Sequence, residues 1–294
     1  MGGIPYSSFN LTVPEIEGLM NSLLLNHEPL IRFGFFLGIL VSMAVWELLA
    51  PRRRLETSKS MRWFGNLGIV FISTLILRLL SPFSAIYAAI LAEKEGWGLL
   101  NNIALFYWLK VAIGVVVLDL AIYLQHAMFH GLPILWRLHM MHHSDLDFDA
   151  TTGVRFHPFE ILLSMGIKMV VVLLVGISAS GVLIFEVLLN ATSLFNHGNV
   201  RLAVGIDRVL RFLVVTPEMH RVHHSVIIRE TNSNFGFNLP WWDRLFGTYK
   251  DQPAAGHVEM TIGLSHFRDP KRLTLPWLLV LPFIGKTSKY PMGP

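Results

Sequence analysis

Four long apolar runs restrict this 294-residue chain to very few folds. They cover 31–49, 67–92, 103–125 and 161–194, and each approaches or exceeds the ~20 residues a helix needs to cross a hydrocarbon core of ~30 Å. Inside a bilayer every backbone N–H and C=O must find its partner within the protein, so lipid-facing runs of this kind fold as helices. The rest of the composition agrees. Only 15% of residues are charged and 53% are hydrophobic, with a mean hydropathy of +0.51, whereas an average soluble domain carries about 25% charged residues. The expected fold class is all-α, a multi-pass membrane protein with about four membrane-embedded segments. The run 161–194 is too long for one crossing, and Gly176-Ile-Ser-Ala-Ser-Gly181 in its middle supplies the small residues of a tight reversal. It therefore reads as a hairpin of two short helices, spanning or re-entrant.

Arg52, Arg53, Arg54, Lys59 and Arg62 crowd the connection after the first run, and the positive-inside rule places that connection in the cytoplasm. Counting crossings from there, 93–102 lies outside, and the segments that follow the third run and the hairpin both emerge on the cytoplasmic side. Met1 to Glu28 lacks the basic-then-apolar order of a cleavable leader. The net charge of +4 comes with no basic stripe interleaved with aromatics, which argues against a nucleic-acid partner. With no cysteine there are no disulfides, thiolate ligands or cysteine-held iron–sulfur clusters.

Histidine is the remaining soft donor, and it is concentrated. Five of the chain's 13 histidines fall within 126–143. His126 and His130 are four apart, a spacing that puts two side chains on one helical face. His139, His142 and His143 form an HxxHH box, expected to gather three imidazoles on one face, and His220, His223 and His224 repeat it. Burying such clusters without a metal is costly. Tetrahedral zinc needs only four ligands, so eight or nine imidazole nitrogens favour a dinuclear centre of six-coordinate ions. His197 is added as a ligand because it follows the hairpin, which should return it to the others. His157 reads equally as ligand, as hydrogen-bond partner of a ligand or as a loop residue. His27, near the N-terminus, and His257 and His266, in what reads as a polar tail, receive no role. Of the charges inside the apolar runs (Arg78, Lys110, Asp119, Lys168 and Glu186), Asp119 is the informative one. Two helical turns before His126, it is placed to accept the outer N–H of that ring or to pair with Lys110.

Taken in order, His126-x-x-x-His130, Trp136-Arg-Leu-His139-Met-Met-His142-His143-Ser144, Arg155-Phe-His157-Pro158, Thr216-Pro-Glu-Met-His220-Arg221-Val-His223-His224, Asn234-Phe-Gly236 and Trp242-Asp243-Arg244-Leu-Phe246-Gly247-Thr248 resemble the fatty acid hydroxylase and sterol desaturase superfamily, integral-membrane di-iron oxygenases. The resemblance spans about 119–249. It implies a helical membrane fold with a cytosolic cap and two iron ions, replaceable by zinc on purification, held by His126, His130, His139, His142, His143, His197, His220, His223 and His224. His157 and Asp119 would be further ligands or partners of ligands. It also implies O2-dependent insertion of oxygen at an unactivated C–H bond of a membrane lipid of fatty acyl, sterol or alkylglycerol type, with desaturation on the same centre as the alternative. The pattern departs from some members in having Ala127 after His126, where an arginine is frequent. The chain also lacks a His-Pro-Gly-Gly haem motif, so electrons would come from a separate protein or reductant.

A non-catalytic metal-binding or metal-transporting membrane protein is the rival from another class. Transport would place ligands along the spans, whereas here they follow the ends of the spans. The expected organisation is one membrane domain over 1–294: three runs in 31–125, a first cytosolic histidine segment 126–160, the hairpin 161–195, and a second cytosolic segment with the C-terminal tail at 196–294. Its setting would be a bacterial inner membrane or endoplasmic reticulum membrane with the active site on the cytoplasmic face.

Overall fold

The computed structural model describes residues 13–80, 84–284, 287 and 290. Among the described residues the chain is helical, and its only β pairings are two isolated bridges. In chain order the first helices are α1 Val13–Asn26, α2 Glu28–Leu49, α3 Lys59–Leu79, α4 Ala85–Lys94, α5 Tyr107–Gly131, α6 Pro133–His143, α7 Pro158–Val175 and α8 Ala179–Asn196. Shorter helices follow: α9 Val204–Leu210, α10 Pro217–His223, α11 Ile228–Thr231, α12 Trp241–Leu245, α13 Gly256–Glu259 and α14 Leu275–Val280.

Five of these, α2, α3, α5, α7 and α8, are long and apolar enough to cross a membrane. The last run forms two helices, α7 and α8, each of 18 residues, or about 27 Å at 1.5 Å per residue. Gly176 ends α7 in the left-handed region at φ 75°, a conformation glycine adopts without strain. Ser178 then starts α8 by accepting the Gly181 N–H at 3.3 Å.

The second apolar run does not form one span. α3 begins earlier, at Lys59, capped by Ser58, and the end of the run forms the separate helix α4, capped by Ser84. Twenty-six residues in one helix would measure about 39 Å, too long for the hydrocarbon core, and Pro82 within the run is a poor helix-interior residue. The four buried alanines of α4, at 85, 88, 89 and 92, let it pack closely on α7 and α8.

One end of this bundle gathers Gly98 and Gly176, so close that a Cβ on Gly98 would lie 2.1 Å from the Gly176 nitrogen. The other end gathers the histidine segments and the 51–58 connection, where Pro51 bridges to Val200 and Arg52 N–H donates to Asn199 C=O at 3.0 Å. Much of the connection's basic charge is committed to this packing. Arg52 reaches Glu218 at 2.6 Å, Lys59 reaches Glu47 at 3.2 Å, and Arg62 is fully buried between Asp145 at 2.7 Å and Asp149 at 2.5 Å. Asp147 accepts the N–H groups of Glu56 and Thr57. The alternating aspartates 145, 147 and 149 thus fasten the connection and α3 to the histidine end.

Within the spans, Lys168 and Glu186 pair with each other, and Arg32 joins Glu186 at 2.5 Å, so charges that would be costly in lipid are mutually satisfied. The tail is less polar than expected: α14 buries Leu278 and exposes Trp277 and Val280. It abuts α3 where a Cβ on Gly65 would lie 2.7 Å from Leu273 C=O.

Candidate metal centre

The first histidine pair and the first box meet because of a one-residue break. α5 ends at Gly131 and α6 begins at Pro133, with Leu132 extended between them at φ −102°, ψ 119°, as a residue before proline prefers. The chain folds back on itself there. His126 faces His139, with Nε2 atoms 3.0 Å apart, and His130 faces His143 at 3.1 Å. The second box sits on α10, which Thr216 caps and Pro217 opens, the position where proline costs no hydrogen bond. His197 lies one residue past the end of α8, and its Nε2 is 3.2 Å from that of His142, 3.2 Å from His224 and 3.1 Å from His220.

All nine clustered histidines are buried, and they divide into two groups able to hold metal ions. His126, His130, His139, His143 and His223 form one; His142, His197, His220 and His224 form the other; within each, the donor atoms lie within 4.8 Å of one another. This corrects the expectation that each HxxHH box presents three rings to one point. Residues four apart stay together, as 139 with 143 and 220 with 224, but adjacent residues on a helix do not share a face. The doublets 142/143 and 223/224 therefore each straddle both groups. The rings of His143 and His224 stack across the boundary, with centroids 4.6 Å apart.

Hydrogen bonds to carbonyl and amide oxygens fix which nitrogen carries the proton in four rings. Nδ1–H donates to Phe235 C=O from His126 at 2.7 Å, to Ser193 C=O from His197 at 2.8 Å and to Ser233 C=O from His223 at 2.7 Å, while His139 Nδ1 pairs with Glu160 Oε1 at 2.7 Å. His130 donates to Asn232 Oδ1 at 3.0 Å, and the Asn232 amide is oriented by its own donation to Tyr290 C=O. In His126, His130, His197 and His223 Nε2 is thereby left as a lone pair pointing inward. Three of those lone pairs, on His126, His130 and His223, lie within 4.8 Å of one another, which is repulsive unless a cation lies between them. A metal–imidazole bond of about 2.1 Å places nitrogens at right angles about 3.0 Å apart, close to the 3.0–3.2 Å contacts seen here. The donor set therefore fits first-row metal ions that accept imidazole, iron among them.

Electrostatics favour the same state. Burial lowers His139 to about 3 and His197 to about 3. Burial, with the neighbouring imidazoles adding to it, holds His142, His143, His220, His223 and His224 well below the usual histidine range. Neutral rings are the metal-binding form. Phe156 stacks on His142 at 4.5 Å, Phe148 on His197 at 5.4 Å, and Phe237 lies 5.0 Å from His126, so the surroundings are apolar.

The remaining sequence candidates have other work. His157 is outside both groups: its Nδ1 accepts the Phe159 N–H at the start of α7 and its Nε2 donates to Leu279 C=O at 3.2 Å, tying α14 to α7. Asp119 touches neither His126 nor Lys110; it accepts the Trp242 indole N–H at 2.8 Å and the Leu239 N–H at 3.2 Å. Its link to the site is indirect, since the neighbouring Asp243 accepts the N–H of Phe235 at 2.7 Å and Phe235 in turn orients His126. His257 is buried, with Nε2 2.9 Å from Glu218, and so is no surface residue. Sequence reasoning missed Glu160, the partner of His139. Its signal was an acid one turn after His157-Pro158, where a helix opens; only the fold shows that it faces His139.

Residues 111–248 match the family model described as fatty acid hydroxylase. The chain is 30% identical over 153 residues to an ornithine lipid hydroxylase of Rhizobium tropici, covering 52% of this chain and 45% of that protein. It is 27% identical over 164 residues to alkylglycerol monooxygenase of Homo sapiens, covering 54% and 33%, and 29% identical over 155 residues to a Delta(7)-sterol-C5(6)-desaturase of Nicotiana tabacum, covering 50% and 52%. It thus spans from a third to about half the length of these relatives. No solved structure matches it.

Proposed function

We propose, for a chain that belongs to the fatty acid hydroxylase superfamily through residues 111–248, that the nine histidines hold two iron ions and that the protein is an O2-dependent lipid hydroxylase. The observation that carries this reading is the set of inward lone pairs, fixed by outward hydrogen bonds, in two adjoining groups of five and four rings. Six-coordinate ions in these groups would have one and two positions left over. The iron pair, when bound, supplies the activation of O2 and the oxidising power that no side chain has. Hydroxylation consumes one O2, two electrons and two protons, and yields the alcohol and one water, so an external electron donor is required.

The chain's own residues hold and orient. Glu160, Asn232 and the carbonyls of Phe235, Ser193 and Ser233 set the rings, while Phe148, Phe156 and Phe237 exclude water from them. Phe237 also packs into the apolar cluster shared by α5, α7 and α8, with Leu118, Ile122, Val172 and Phe185. A lipid chain rising between those helices would reach the rings from the membrane side. Arg52 and Arg53 at the histidine end support a cytoplasmic active site. One relative is a sterol desaturase, so desaturation is the alternative outcome on the same site. Comparing lipid mass spectra of cells with and without the gene separates them. A gain of one oxygen in a membrane lipid is the expected result, a loss of two hydrogens gives desaturation, and an unchanged lipid profile contradicts both.

A further inference from the structure

The histidine end also carries an apolar surface that no described residue covers. Ile206, Val209, Phe212, Leu213, Trp241 and Leu245, on α9, α12 and the chain just after α9, are all exposed; Leu213 is 62% and Leu245 69% exposed. They form one connected face. The Trp241 indole donates to Phe212 C=O at 2.7 Å, and the Arg244 guanidinium lies 4.9 Å over the Phe212 ring while donating to Arg211 C=O at 3.1 Å. A contiguous patch of this kind marks an interaction site rather than ordinary surface.

Two features indicate what covers it. The first is continuity with the membrane-spanning surface. Phe246, directly after α12, stacks on Tyr123 of α5 at 5.4 Å, and the next α5 residue, Leu124, is exposed among the apolar positions of that span. α9 itself begins only eight residues after α8 ends. The second is charge: Arg208 on α9 and Arg244 on α12 are exposed, and the nearby acids Asp207 and Asp251 are both engaged by Arg211, at 2.7 and 2.6 Å. Exposed aliphatic residues with a tryptophan and an arginine rim, level with the end of the spans, have the composition of an interfacial anchor.

We propose that the α9–α12 surface lies in the bilayer, seated at the boundary between headgroups and acyl chains of the leaflet at the histidine end, with its arginines against anionic phospholipid headgroups. Asp243 on α12 holds the Phe235 N–H, and Phe235 C=O holds His126, so the anchor fixes the height of the histidine groups above the lipid. The proposal rests on the fold alone and is independent of what the histidines bind.

The cysteine-free chain permits a direct test. Single cysteines replacing Ile206, Leu213 or Leu245 are spin-labelled in the full-length protein, reconstituted in nanodiscs of phosphatidylcholine and phosphatidylglycerol. Collision with oxygen is compared with collision with a water-soluble nickel chelate. Phe71, exposed in mid-α3, and Gln252, exposed beyond α12, serve as lipid and water references and report that the fold is intact. Oxygen-favoured labels at 206, 213 and 245, at a depth of about 5–10 Å, are the expected result. Nickel-accessible labels at two or more of these positions, matching Gln252, overturn the proposal and leave the face to a protein partner.

Discussion

Alanine at His143 or at His224 is expected to reduce lipid turnover to background and to lower the metal content of the protein. These two rings belong to different groups yet stack on each other, so each removal leaves an ion short of a ligand at the junction. Ligands of a shared centre act as a unit, and single deletions then cost nearly as much as removing several. The same result is expected for His139→Ala and His220→Ala. His27→Ala and His266→Ala should leave turnover and metal content unchanged, since neither residue belongs to either group. Metal analysis and product formation, measured on the same preparations, check both halves of the statement. Wild-type turnover and metal in both His139→Ala and His220→Ala would remove the clustered histidines from the chemistry.

The largest stability effect is expected at Arg62→Ala. The guanidinium is fully buried; it donates to Asp145 twice, at 2.7 and 2.9 Å, and also to Asp149 and Thr152. Its removal leaves two carboxylates buried with their principal cation gone, and breaking a buried ion pair from one side costs about 3–5 kcal/mol. Asp145 is two residues after His143 and Asp149 caps the turn at Ala150–Val154, so the loss should loosen the first histidine box from α3. Arg62→Lys should recover only part of the stability, because a single ammonium cannot reproduce the forked donation. Thermal unfolding in detergent, followed by tryptophan fluorescence, reads the change. An unchanged midpoint for Arg62→Ala would show that this network is not what holds the two parts together.

The spans and the hairpin were legible because lipid leaves the backbone few choices and because 18 residues on each side of Gly176 suit the membrane thickness. The break between α3 and α4 was less visible. Mean hydropathy continues across it, and the alanine face that makes α4 a packing helix looks like more of the same run. Eight of the histidines stood out as clusters from their spacing, since residues four apart share a helical face, while His197 rested on the hairpin that returns it. Their division was not. It depends on the doublets turning apart and on the reversal at Leu132, which aligns His126 with His139 and His130 with His143. Asp119 shows the limit of the spacing argument: it lies on a plausible face, but Trp242 and Leu239, more than a hundred residues away in sequence, reach it first. Glu160 shows the converse, a residue with no periodic signature that the fold delivers to His139. The tail read as polar from its charges, while the apolar stretch that becomes α14 was overlooked.

The central claim is that two metal ions sit in the two histidine groups, and metal content measures it most directly. The full-length chain, purified folded from iron-replete cells without chelators, should contain about two first-row metal ions per chain, iron or zinc in its place, given five and four imidazole donors. His130→Ala, which touches only the first group, should bring the value toward one. A folded wild-type protein that reproducibly holds one ion, or none, would contradict the account.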